Sequence, residues 1–216
     1  MELHLKEMPV ADFLNALGSD APAPGGGAAS GLSGALAAAL GKMVADLTIK
    51  RKKYEQYHDL AKDASSALAI LIDDFRTLSE EDARAYTRYS EAIALPKNND
   101  EEIEKRKCAL NQAILFSTEV PCRVIDKSLE TVKILELLYG KSNKTCMGDL
   151  AAAAEELNTA CKLAWLNILA NMPYFPDSKD GAGIMKEKRI LLDEIQNRCS
   201  ALYSKVETDI LNLFNN

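Results

Sequence analysis

Histidine is scarce in this chain. His4 and His58 are the only two among 216 residues. No H-E-x-x-H pair or other zinc-ligand spacing can be written, and a histidine base is not expected. Aromatic residues make up only 6%, while Ala and Leu dominate a 47% apolar fraction, a composition that favours helix over sheet. No alternating β pattern exceeds a few residues. The five cysteines are odd in number and none forms a C-x-x-C pair, which predicts reduced, mostly buried thiols in a cytoplasmic protein. A net charge of -6 with 27% charged residues gives no case for general nucleic-acid binding. The N-terminal "MELHLKEMPV" is too charged for a signal peptide. The longest nearly uncharged run, Leu17 to Gly41, is broken by prolines and glycines and closed by Lys42 and Asp46. Its helical part is expected to be too short to span a bilayer, so no membrane anchor is expected.

What the chain has is helix. "MPVADFLNALGS" reads as a short helix with Pro9 in its first turn and Gly18 at its stop. A second helix starts after Gly25-Gly26-Gly27 and runs toward Tyr54. A third, from about Tyr57 to Leu95, carries Leu60, Ala64, Leu68, Leu71, Phe75 and Leu78 at the spacing of one face. Pro96 and Asn98-Asn99-Asp100 break the chain and start a fourth helix, to about Leu138, in which Pro121 should free a carbonyl. A fifth runs from about Asp149 to Asn171 and a sixth from Ile184 to Phe214. The expected architecture is all-α: one domain over residues 1–216, a bundle of about six helices, several of them long.

The stretch "APAPGGGAASGLSGALAAALGKMVADLTIKRKKYE" is the least ordinary. It lacks the strand and the last glycine of a dinucleotide fingerprint, and the spacing and Ser/Thr of a P-loop. Glycine inside a helix costs on the order of 1 kcal/mol relative to alanine, so Gly31, Gly34 and Gly41 need a reason. Two fit: very close approach of another helix, or room for a flat ligand. The first-turn N–H groups after Gly25, Gly26 and Gly27 could also hold an anion.

This stretch resembles the signature of the formiminotransferase-cyclodeaminase C-terminal family, which includes free-standing methenyltetrahydrofolate cyclohydrolases. Its pattern is P-T-P-G-G-G, a small-residue helix, M-V-A-N-L-T-I and K-K-K-Y. Met43 to Ile49 and Lys52-Lys53-Tyr54 match it. The resemblance continues in "DARAY" (Asp82 to Tyr86), Leu95-Pro96-Lys97-Asn98, "EVPCRV" around Pro121, "SNKTCMGDLAAAA" with Asn143 and Asp149, and "LNILANMP" with Asn167 and Asn171. Ala23, Asp46, Ser142 and Gly148 depart from the pattern.

The resemblance implies a cytoplasmic homodimer that handles one-carbon units on tetrahydrofolate, without a metal or a permanently bound cofactor. The activity it implies is closure of 5-formiminotetrahydrofolate to 5,10-methenyltetrahydrofolate with release of ammonia. The alternatives are opening of the methenyl form to 10-formyltetrahydrofolate, and a non-catalytic folate-binding or structural dimer. With histidine and metal clusters absent from the sequence, carboxylates carry the acid–base work. Asp82 either takes and gives the proton, worth roughly 10²–10⁴ in rate, or is a solvated charge in "SEEDAR". Asp149 is either an N-cap or an acceptor for the N–H edge of the pterin. Asn143 orients the substrate or shapes its turn. Lys50 to Lys53, Lys52 and Lys53 above all, are helix-end charges or bind the glutamate tail of a mono- or polyglutamylated folate. Tyr86, with Tyr54 and Tyr89, stacks on a ring or packs. Lys97 and Gly25 to Gly27 complete the implied substrate contacts. The Gly/Ala excess of Ala28 to Leu40 places that helix near a subunit interface.

Overall fold

The computed structural model describes residues 4–214, and among them there is helix and no strand. Six α-helices follow in order: α1 Val10–Leu17, α2 Gly26–Ile49, α3 His58–Ala94, α4 Asp100–Leu138, α5 Met147–Asn171 and α6 Ser178–Phe214. Short 3-10 turns, Leu5–Glu7, Lys52–Tyr57, Lys144–Cys146 and Met172–Tyr174, occupy the joins.

The α2 helix lies at the centre, between α3 and α5. Ser79 of α3 donates to the Ala28 carbonyl at 2.8 Å, and Ser30 of α2 donates to the Ala160 carbonyl of α5 at 2.8 Å. The glycines explain how three helices approach this closely. A Cβ on Gly31 would lie 2.7 Å from the Ser79 backbone nitrogen and 2.9 Å from the Phe75 carbonyl oxygen. Gly34 faces the Phe75 ring, and Gly41 faces Leu135 and Leu68. These small residues therefore serve helix packing within the chain. Of the two reasons the sequence offered for these glycines, close helix contact applies to Gly31, Gly34 and Gly41.

One expectation needs correction. With 24 residues, α2 is long and apolar enough to cross a membrane by length and composition. The argument that its helical part is too short fails. What accounts for its apolar character is burial against α3 and α5, since Ala37, Ala38, Val44 and Ala45 are completely covered.

The remaining boundaries follow local chemistry. The Asn99 side chain accepts from the Glu102 N–H at 2.9 Å, and Glu102 reaches back to the Asn98 N–H at 2.8 Å, so both ends of this reciprocal cap start α4. The last helix begins six residues before Ile184. Asp177 accepts from the N–H groups of Lys179 and Asp180, at 2.7 and 3.2 Å, and nucleates a turn despite Gly181 and Gly183. The central helix stops at Ile49, and Lys52–Tyr57 forms a separate 3-10 turn. Leu68, Leu71, Phe75 and Leu78, the expected face of α3, are buried.

Candidate active-site cleft at the start of the central helix

The start of α2 opens onto a cleft of about 470 Å³, within the range of small-molecule sites. Gly25, Gly26 and Gly27 form one side. Asp82, Ala85, Tyr86 and Tyr89 project from α3, three and four residues apart and thus on one face. Ile114 and Ser117 come from α4, and Asn167 and Asn171 from α5, with Tyr174 beyond them.

Three adjacent carboxylates of "SEEDAR" have three fates. Glu80 is buried; it accepts from the Lys6 N–H at 3.3 Å and pairs with Arg84 at 2.6 Å. Glu81 pairs with Arg123 of α4 at 2.6 Å. Asp82 faces the cleft and meets no cation at ion-pair distance among the described residues. It is half-buried, which excludes the solvated-charge reading. Burial pushes its carboxyl up to about 6, and the Ala28 N–H, which it accepts, acts the other way. The N-cap Gly25 has no side chain to cap α2. The Asp82 carboxylate takes that place from a neighbouring helix. A carboxyl that titrates near neutrality at the edge of a cleft can take up a proton and return it.

The structure brings together Gly25, Gly26, Gly27, Asp82 and Tyr86 of the expected site. It separates the others. The Asn143 N–H donates to Thr48 Oγ1 at 2.9 Å. Thr48 stands 21 residues from Gly27 on the same helix, about 32 Å at 1.5 Å per residue. Asn143 is buried, and its Oδ1 accepts from the Thr145 N–H at 3.1 Å and hydroxyl at 3.0 Å, so it shapes its turn. Asp149 lies in the first turn of α5, whose N-cap is Cys146; the expected capping role is not the observed one. Lys52 and Lys53 are exposed at the Asn143 end, where the Tyr54 hydroxyl accepts from the Lys144 N–H at 3.0 Å. Lys97 is at the far tip of the α3–α4 hairpin, beside Ile103 and Arg106. Within one chain, neither Asn143, Asp149, Lys52, Lys53 nor Lys97 reaches the cleft. Ser117, Ile114 and Tyr174 were not singled out in the sequence; Pro121 was the signal for Ser117, as the proline four residues after a carbonyl that loses its donor.

Among the described residues no group of three His, Cys, Asp or Glu could hold a metal ion. Cys122, Cys161 and Cys199 are buried, and burial raises their thiols to about 11 and about 12 for the first two.

An all-helical protein with a glycine-opened central helix and a carboxylate across its first turn is thus defined. The chain belongs to the formiminotransferase-cyclodeaminase family, whose model matches residues 9–189. It is 30% identical over 198 residues to a methenyltetrahydrofolate cyclohydrolase of Methylorubrum extorquens, covering 92% of this chain and 95% of that one. It is 29% identical over 199 residues to the formimidoyltransferase-cyclodeaminase of Gallus gallus, covering 92% of this chain but only 37% of the relative. The chain thus spans little more than a third of the length of that relative. The crystal structure of a formiminotetrahydrofolate cyclodeaminase from Thermotoga maritima superposes with a TM-score of 0.79 at 24% identity, over 93% of this chain and 98% of that one, which shows a shared fold.

Proposed function

We propose that this chain is a folate one-carbon enzyme, a formiminotetrahydrofolate cyclodeaminase that uses Asp82 as its proton shuttle. The single observation that carries the reading is the Asp82 carboxyl: half-buried, titrating near 6, and facing a cleft at the start of a helix. In the protonated formimino substrate the carbon on N5 is already electrophilic, so the reaction needs no metal. N10 attacks this carbon, and the tetrahedral adduct carries one proton too many on N10 and one too few on the leaving amino group. Asp82 takes the first proton and delivers the second. Ammonia leaves and the N5–carbon–N10 bridge closes as the methenyl cation. Opening of the methenyl cation by water to the 10-formyl form uses the same tetrahedral carbon and the same base. That second reading is favoured by the near full-length match to the Methylorubrum extorquens cyclohydrolase.

The enzyme acts as a cytoplasmic homodimer. Leu36, Ala39 and Met43 are exposed on α2, and Leu32 beside them is half-covered by the cluster around Phe13 of α1, so this side of the central helix carries a partly open apolar stripe. The end of α2 near Asn143 carries exposed Lys50, Arg51, Lys52, Lys53 and Lys144, while at the cleft end Glu80 and Glu81 are already paired with Arg84 and Arg123. Two copies joined antiparallel along this stripe would cover it in a closed, two-fold symmetric pair. The antiparallel pair also carries Lys52 and Lys53 of the partner subunit toward the cleft, where a folate glutamate tail would leave it.

The test is spectroscopic. Methenyltetrahydrofolate absorbs in the near ultraviolet. Growth of that band on adding protein to 5-formiminotetrahydrofolate identifies the cyclodeaminase, and its loss from the methenyl form identifies the cyclohydrolase. Binding without either change would leave a folate-binding protein and overturn the enzymatic reading.

A further inference from the structure

Pro121 has no N–H, so the Ser117 carbonyl four residues earlier in α4 lacks its helical donor. Asn171, at the end of α5, supplies one: its Nδ2 donates to the Ser117 oxygen at 2.9 Å. A carbonyl can only accept, so the side-chain amide is oriented by chemistry, nitrogen toward Ser117 and Oδ1 away from it. One turn earlier, Asn167 Nδ2 donates to the Leu163 carbonyl at 2.9 Å, which orients that amide too. Both residues line the cleft, and neither Oδ1 accepts a hydrogen bond among the described residues. Residues four apart on a helix are neighbours, with roughly 5–6 Å between their Cβ atoms. One wall of the cleft therefore carries two neutral acceptors, side by side, each amide held by one of its N–H groups on a backbone carbonyl.

We propose that Asn167 and Asn171 form a recognition site for a flat heterocycle edge bearing adjacent N–H donors, the amino-pyrimidinone edge of a pterin, and that Pro121 is the residue that positions Asn171. This deepens the folate reading and rests on it. The arrangement explains why an amide stands at position 171. A carboxylate would offer acceptors to the ligand but would have no proton for the Ser117 carbonyl, and would set two electron-rich oxygens against each other. It also assigns the task that Asp149, one helix length away, cannot perform within the same chain. The orientation of a donor–acceptor site is what lets it reject an analogue that lacks the matching group.

The experiment measures binding of two unreactive ligands to the full chain by titration calorimetry: 5-formyltetrahydrofolate and its analogue with methyl in place of the 2-amino group. Wild type should prefer the amino ligand by roughly 10–10²-fold, the scale of leaving a buried acceptor without its donor. Asn171→Ala and Asn167→Ala should each weaken the amino ligand about tenfold; the variant at the asparagine that accepts from the 2-amino group should leave the methyl analogue almost unchanged, while the other, which accepts from the ring N–H, should weaken both ligands. The Leu163 carbonyl keeps its helical donor in Asn167→Ala, so that variant retains its fold. Pro121→Ala returns an N–H to the Ser117 carbonyl and frees the amide. It should weaken the amino ligand in the wild-type background and have no further effect in an Asn171→Ala background. Equal loss for both ligands in both asparagine variants, or no loss in either, would overturn the recognition role. The same loss from Pro121→Ala in both backgrounds would overturn the positioning role. Wild-type binding of both ligands with equal strength sinks this inference while leaving the folate reading intact; binding of neither sinks both.

Discussion

The first turn of α2 leaves no room between Gly27 and the Asp82 carboxylate: any Cβ at position 27 would run into the carboxyl group itself. Gly26, its neighbour, has nothing within 4 Å of the same construction. Gly27→Ala should therefore rotate Asp82 out of the cleft and break its bond from the Ala28 N–H. Turnover is expected to fall by about 10²-fold, the lower range for a displaced acid–base group, with helical content unchanged. Gly183→Ala in α6, away from the cleft and likewise with nothing within 4 Å of an added Cβ, is the control and should keep near-normal turnover. Circular dichroism and the methenyl absorbance assay check both.

Asp82→Asn separates chemistry from stability. Asn keeps the size and still accepts from Ala28, but cannot carry a proton, so turnover should fall by at least ~10²-fold. Its effect on stability has the opposite sign. The folded pKa of Asp82 is raised to about 6 from 3.8. The folded state thus holds the proton more tightly than the unfolded chain, and the associated stability is complete below about pH 4 and lost as pH rises through about 6. Asp82→Asn is free of that loss. Its melting temperature should match wild type at pH 4 and exceed it by a few degrees at pH 8, on the scale of about 2–4 °C per kcal/mol for a chain of this size. A variant less stable than wild type at pH 8 would contradict the burial cause. In wild type, kcat/KM should show a limb near pH 6 that is missing from the residual activity of the variant.

The Gly31 position tests packing alone. An added Cβ meets backbone atoms of Ser79 and Phe75, which cannot rotate away. The α2 and α3 helices must separate or the substitution fails, for a loss of about 1–3 kcal/mol. Chemical denaturation should show a lower midpoint at an unchanged slope. Because Ser79 also holds the Ala28 carbonyl at 2.8 Å, part of the loss should reappear as weaker substrate binding at the cleft.

The helices were legible from the sequence because period, proline and cap signals agreed: the α3 face and the Asn99 cap of α4 are where spacing and residue type put them. The start of α6 was not, because a single aspartate, Asp177, outweighed two glycines. The reason for the α2 glycines stayed open in sequence between helix contact and ligand room, since both ask for small residues. The structure divides them: Gly31 and Gly34 meet α3, while Gly25 to Gly27 meet the cleft. Asn143, Asp149 and the lysine run share motifs with Asp82, but a motif does not specify distance. Their separation along α2 becomes visible only once that helix is straight and 24 residues long.

That separation leads to the last prediction. Exposed Lys52 and Lys53 lie too far from the cleft of their own chain, yet an antiparallel dimer would bring those of the partner subunit to it. If they hold a glutamate tail, Lys52→Gln with Lys53→Gln should raise KM for a polyglutamylated folate much more than for the monoglutamate. Turnover at saturation should stay nearly unchanged, since tail contacts are equal in ground and transition states. The effect should shrink with salt, which screens such charges over about 10 Å at 0.1 M. Mixing this double variant with Asp82→Asn then identifies the chain that supplies the lysines. In a mixed dimer, the subunit with intact Asp82 lacks its own lysines but faces a partner that has them. Wild-type KM for the polyglutamate at reduced total turnover places the lysines in trans. The raised KM of the double variant places them in cis, and a protein that sediments as an active monomer removes the dimer altogether.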